Sequence, residues 1–242
     1  MKDFGGWLLK LLYLALACAM FYFVTDDIVI GGFGFMYRYL FGIAIITMAF
    51  TVFLIKPQTE RLLNTVKYCS VLSAPYLWIM LYSLIIWAVS FAQFRVMTRG
   101  FFFIVYQLIG IMTAGATLYL FGKNGVFMML GGVLLANTIY LIQAFADNGI
   151  ITVLQEYKDL VLSLASQTGD VMKSFELKGY SYILGFFLLF FILNVRQNGK
   201  RIWLLPVTLF FFLMGMKRSV IVSLVVSLFF GLILLSAKEK TA

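Results

Sequence analysis

Eight apolar runs, separated by polar or charged breaks, leave this chain few folds to choose from. They are Trp7–Val24, Tyr39–Ile55, Ser73–Phe91, Phe101–Phe121, Val126–Phe145, Tyr180–Val195, Ile202–Met216 and Val220–Leu235. Inside a bilayer every backbone N–H and C=O must find its partner within the protein, so runs of this length read as membrane helices. The residue balance agrees: 63% apolar against 12% charged, which no ordinary soluble domain holds. The expected fold is all-α, a polytopic membrane helix bundle of about eight transmembrane helices, with residues 1–242 forming one integral membrane domain. Ala15–Leu16–Ala17–Cys18 hints at a lipoprotein cleavage site. The apolar run continues through Ala19–Phe23, however, so an uncleaved first span is expected.

Lysine and arginine set the orientation. With the N-terminus inside, eleven cations face the cytoplasm: Lys2, Lys10, Lys56, Arg61, Lys67, Lys123, Arg196, Lys200, Arg201, Lys238 and Lys240. Eight face outward: Arg38, Arg95, Arg99, Lys158, Lys173, Lys178, Lys217 and Arg218. Seven of the ten acids also fall outside. Both termini are therefore expected in the cytoplasm. The formal net charge of +9 needs no nucleic-acid partner, because cytoplasmic loops collect cations anyway. The chain has no histidine, which removes the commonest general base and metal ligand. Two cysteines, Cys18 and Cys69, give no disulfide framework.

One break differs from the others. Lys217 and Arg218 sit side by side between two apolar runs. The run Ile202–Met216 spans only about 22 Å as a helix, against a hydrocarbon core of ~30 Å. After the pair, Ser219, Ser223, Ser227 and Gly231 place a small residue at every fourth position, a face that lets another helix approach closely. A short loop with two interfacial cations would give the same local pattern. Arg95 and Arg99, one helical turn apart, are either a second anion contact or cations snorkelling from a span end. Cations near outer span ends run against the positive-inside trend. An anionic group there would explain them, and phosphate suits the planar fork of arginine best.

The stretch Phe175–Glu176–Leu177–Lys178–Gly179–Tyr180–Ser181–Tyr182–Ile183–Leu184–Gly185 is followed by a basic turn. A span then ends in Gly215–Met216–Lys217–Arg218–Ser219–Val220–Ile221. This resembles the middle of bacterial O-antigen ligases and of O-antigen, capsule or exopolysaccharide polymerases. The likeness covers roughly residues 169–235 in pattern, and the earlier spans in hydropathy alone. It implies a glycosyltransferase of the bacterial cytoplasmic membrane with no cofactor and no metal. Its donor would be a polyprenyl pyrophosphate-linked oligosaccharide at the outer leaflet, and other polysaccharide-assembly membrane proteins would be its partners. The resemblance makes Arg218 the residue that holds the pyrophosphate and stabilises the charge growing on it. Lys217, Arg95 and Arg99 are further candidate anion contacts, and Glu176 is the best placed outer carboxylate for a general base. Members of this family carry further spans and a second outer loop with another arginine and often a histidine. The chain is thus expected to correspond to their N-terminal portion and to give no product alone.

Other features carry less. Asp26–Asp27 is half of an aspartate-rich pyrophosphate motif, and Gly31, Gly32 and Gly34 are expected in a loop. Residues 146–178 form a long outer loop. Within it Ile150, Val153, Leu154, Tyr157, Leu160, Val161 and Leu164 recur at helical spacing, which predicts an amphipathic helix over about 149–165 on the membrane surface. The alternative class is a transporter, or a non-catalytic part of a flippase for lipid-linked oligosaccharides. A transporter should show inverted repeats and polar breaks at mid-membrane. No repeat is visible here, and the charges gather at span ends.

Overall fold

The computed structural model describes residues 2–23, 27–30, 33–90, 94–166, 183–193 and 199–214, with 224–226, 228–229 and 232–233. Eight helices are described: α1 (Lys2–Tyr22), α2 (Tyr37–Ile55), α3 (Thr59–Ser90), α4 (Phe94–Phe121), α5 (Gly125–Asn148), α6 (Ile150–Ser166), α7 (Leu184–Leu193) and α8 (Leu204–Met214). Four segments are long and apolar enough to cross a membrane: Gly5–Tyr22, Tyr37–Ile55, Thr59–Val89 and Ile104–Asn148. The last holds α4 and α5, joined by a 3₁₀ turn at Gly122–Asn124. The chain is a helical membrane protein. Its contacts divide it into two compact units, Met1–Gly132 and Val133–Ala242.

Two local expectations are corrected. Residues 26–34 hold more than a loop: Asp27–Ile30 (β1) pairs antiparallel with Phe33–Met36 (β2), Asp27 opposite Met36 and Ile30 opposite Phe33. The β-branched run Ile28–Val29–Ile30 ahead of two glycines favours this hairpin. The basic stretch 56–67 is also mostly helix. Helix α2 ends at Ile55, where Pro57 cannot donate the next helical bond, and the N–H of Lys56 closes the end on the Val52 carbonyl at 2.9 Å. Helix α3 then begins at Thr59, with Glu60 in its first turn where the helix dipole favours an anion. Arg61 and Lys67 therefore stand on the extension of a membrane helix.

In the first unit α2 packs on α1 and α4, and α3 packs on α4. The core gathers Tyr13, Ala17, Ile45, Ala49, Ala116 and Tyr119. Lipid tails are as apolar as leucine, so close backbone approach and hydrogen bonds hold such helices together. Both are present. A Cβ on Gly42 would lie 2.8 Å from Thr113 Oγ1, and one on Gly132 would lie 2.5 Å from the Ala17 Cβ and 3.0 Å from its carbonyl carbon. Thr117 donates to the Thr113 carbonyl at 2.9 Å. Its one proton is thereby used, so Tyr13 is the donor in the 2.8 Å bond between Tyr13 Oη and Thr117 Oγ1.

In the second unit Gly149, at φ +80°, ends α5 in a left-handed cap. Its N–H reaches the Phe145 carbonyl at 3.0 Å, and α6 starts at the next residue. Val153 of α6 is fully buried while Asp159 is exposed. Tyr157 is half-buried, which pushes its phenol above the usual range. Helices α7 and α8 pack together across a connection that includes the 3₁₀ turn Gly199–Trp203. Leu184, Phe187, Leu188 and Phe191 are buried on α7, and Thr208, Phe211, Phe212 and Met214 on α8. The buried residues of both helices recur at helical spacing and form an apolar seam.

Candidate functional site

One end of the first unit is built around the starts of α2 and α4. Short connections make α1, α2, α3 and α4 alternate in direction, so α2 and α4 run the same way and begin at the same end. Tyr39, early in α2, stacks on Tyr106 of α4 with centroids 4.0 Å apart and planes 5° from parallel. Phe102 stacks behind Tyr106 at 6.1 Å. Arg38 rests on this frame: its guanidinium carbon lies 4.6 Å from the Tyr39 centroid, and Nη2 donates to Tyr39 Oη at 2.6 Å. Stacking on an aromatic ring holds the planar fork in one orientation. Phe23, at the end of α1, packs on Tyr37 and Phe41 of α2 at 5.9 and 5.8 Å and closes the other flank.

Arg95 and Arg99 fall on the first two turns of α4, as their spacing predicts. The apolar part of α4 starts at Ile104, so Arg99 stands about 7 Å and Arg95 about 13 Å before it along the helix. Cations in the opening turns oppose the helix dipole, and exposed N–H groups there favour an anion. Arg38 is the residue that sequence reading missed, having been counted only as an outer cation. The signal was its place between Tyr37 and Tyr39.

The predicted residues of the second unit, Glu176, Lys217 and Arg218, lie outside the described residues, as does Asp26. Asp27 is the first residue of β1. Among the described residues the buried polar side chains are Thr113, Thr117, Asn137 and Thr208. Each bonds a carbonyl one turn earlier in its own helix, and none is an acid or a base. No family model, curated protein or solved structure matches the chain.

Proposed function

We propose that this chain is the membrane core of a polysaccharide polymerase or ligase that takes its glycan from a polyprenyl pyrophosphate-linked donor at the outer face of the bacterial cytoplasmic membrane. The reading uses eight spans with both termini cytoplasmic. The observation that carries it is the sequence Gly215–Met216–Lys217–Arg218–Ser219, a cationic break between two short apolar runs on the side where the positive-inside trend disfavours cations. In the reaction an acceptor hydroxyl attacks the anomeric carbon and the bond to the lipid pyrophosphate breaks. The proton passes to Glu176, and the pyrophosphate leaves with the electron pair. Arg218 stabilises the growing negative charge through its bidentate fork, and Lys217 adds a point charge. In the first unit Arg95 and Arg99 are anion contacts at the opening turns of α4, and we add Arg38 on its aromatic frame.

Support comes from where the charge lies. Among the described residues no charged side chain is buried, which fits interfacial chemistry better than a transport path through the bilayer. The test is an Arg218 series in a complete protein containing this segment, read as glycan chain length in cells lacking the native protein. Arg218→Ala is expected to lower transfer roughly 10²–10³-fold. Arg218→Lys should also be impaired, and Lys217→Ala milder, with membrane levels unchanged on immunoblot. Near-normal product from Arg218→Ala would remove the residue from the mechanism.

A further inference from the structure

At the opposite end of the first unit, α2, α3 and α4 leave a crevice of about 610 Å³ between them. Phe53 of α2, Leu62 and Leu77 of α3, and Leu108, Met112 and Tyr119 of α4 line it. From Leu62 to Leu77 it follows α3 for about 22 Å, enough to carry a lipid tail from the interface past the middle of a ~30 Å hydrocarbon core. The hydroxyls along its α3 wall are already used: Thr65 donates to the Arg61 carbonyl, Ser70 to Lys67 and Ser73 to Ser70. Tyr119 is different. It is 5% exposed, and its Oη has no hydrogen-bond partner. A buried phenol needs one.

The end of the crevice nearest Tyr119 is basic. Lys56 ends α2, Arg61 stands on the first turn of α3, and Lys123 lies in the turn after α4, with Glu60 the one acid among them. Arg61 leans over the end of α4. A Cβ on Gly122 would lie 2.6 Å from Arg61 Nη2, so glycine there leaves the guanidinium its place, three residues beyond Tyr119.

We infer that this crevice is a binding site for an anionic glycerophospholipid. One tail lies along Phe53, Met112 and Leu77. An ester oxygen accepts the Tyr119 hydroxyl proton, and the phosphate sits between Arg61 and Lys123. Charge chooses the class of lipid, and the 22 Å apolar length excludes free phosphate. The inference does not rest on the glycan reading, and its failure leaves that reading untouched.

The test reconstitutes the full chain in phosphatidylcholine vesicles with a phosphatidylglycerol that carries a photoactivatable tail, and maps the adducts by mass spectrometry. Adducts are expected on Phe53, Met112 and Leu77 in excess over the outward α3 residues Leu72 and Ile79. Unlabelled phosphatidylglycerol should compete and unlabelled phosphatidylcholine should not. Arg61→Gln and Lys123→Gln should each lower the crevice adducts about fivefold, the equivalent of ~1 kcal/mol per cation. Tyr119→Phe should lower them less, and Val66→Trp, which fills the α3 wall, should abolish them. Equal adducts on both faces of α3 would overturn the inference, as would equal competition by the two lipids. Chain-to-chain adducts through Val66 would put a second copy in the crevice instead.

Discussion

Helices α3 and α4 have similar hydropathy and opposite fates. The apolar window of α3 contains no buried residue, whereas the segment holding α4 and α5 is substantially buried. On α3 the large side chains Leu72, Trp78, Ile79, Tyr82 and Ile85 all stand exposed, the normal state of a lipid-facing surface. On α4 the run Thr113–Ala114–Gly115–Ala116–Thr117 replaces bulk with small and hydroxyl side chains, and all but Ala114 are buried. Where tails and side chains are equally apolar, hydrophobicity decides that a segment enters the membrane. Side-chain size and hydroxyl placement decide which segments touch.

That contrast predicts a graded set of losses, each read as the unfolding midpoint of purified protein in a detergent titration. Gly132→Leu, on α5 against α1, should be the most damaging stability change. Its Cβ meets the Ala17 and Cys18 backbone, which cannot move aside as a flexible side chain would, so ~3 kcal/mol or loss of the folded protein is expected. A wild-type midpoint for Gly132→Leu would break the comparison outright. Tyr13→Phe removes the bond to Thr117 and should destabilise by about 0.6 kcal/mol, with ~1.7 as the upper end for such bonds in membranes. Ile79→Ala, on the exposed face of α3, should stay within ~0.5 kcal/mol. If it matched Tyr13→Phe, α3 would be packed against something and the contrast between the helices would fail.

Hydropathy made most spans legible. The starts of α2 and α5 and the ends of α2, α3 and α4 fall within about two residues of the apolar runs. The amphipathic pattern in residues 150–164 was legible too, because a 3.6-residue period survives outside the membrane as well as in it, and α6 occupies Ile150–Ser166. The start of α3 was not. Glu60, Arg61 and Lys67 look like a loop when charge is taken to end a span, yet a helix satisfies its own backbone and can carry cations that snorkel to the interface. The β1–β2 hairpin was obscured by its glycines, although Ile28–Val29–Ile30 carried the strand signal. At the site, Arg95 and Arg99 lie on the opening turns of α4, which starts at Phe94, ahead of the apolar run at Phe101. Arg38 and Tyr119 were not legible, because their environments come from helices far away in sequence: Tyr106 beyond Tyr39, and the α2 and α3 walls beside Tyr119.

The functional account depends on which face is outside. Arg38, Arg95, Arg99 and Arg218 must share the outer side, and Lys56, Arg61 and Lys123 the cytoplasmic side. In a Cys18→Ala, Cys69→Ala background, single cysteines are introduced as Gln167→Cys, Lys123→Cys and Gly199→Cys and treated in intact cells with a membrane-impermeant maleimide. Labelling of Gln167→Cys in intact cells, and of the other two only after the cells are opened, is the predicted result. The reverse pattern would place the arginine-bearing face in the cytoplasm and contradict the proposed reaction at its base.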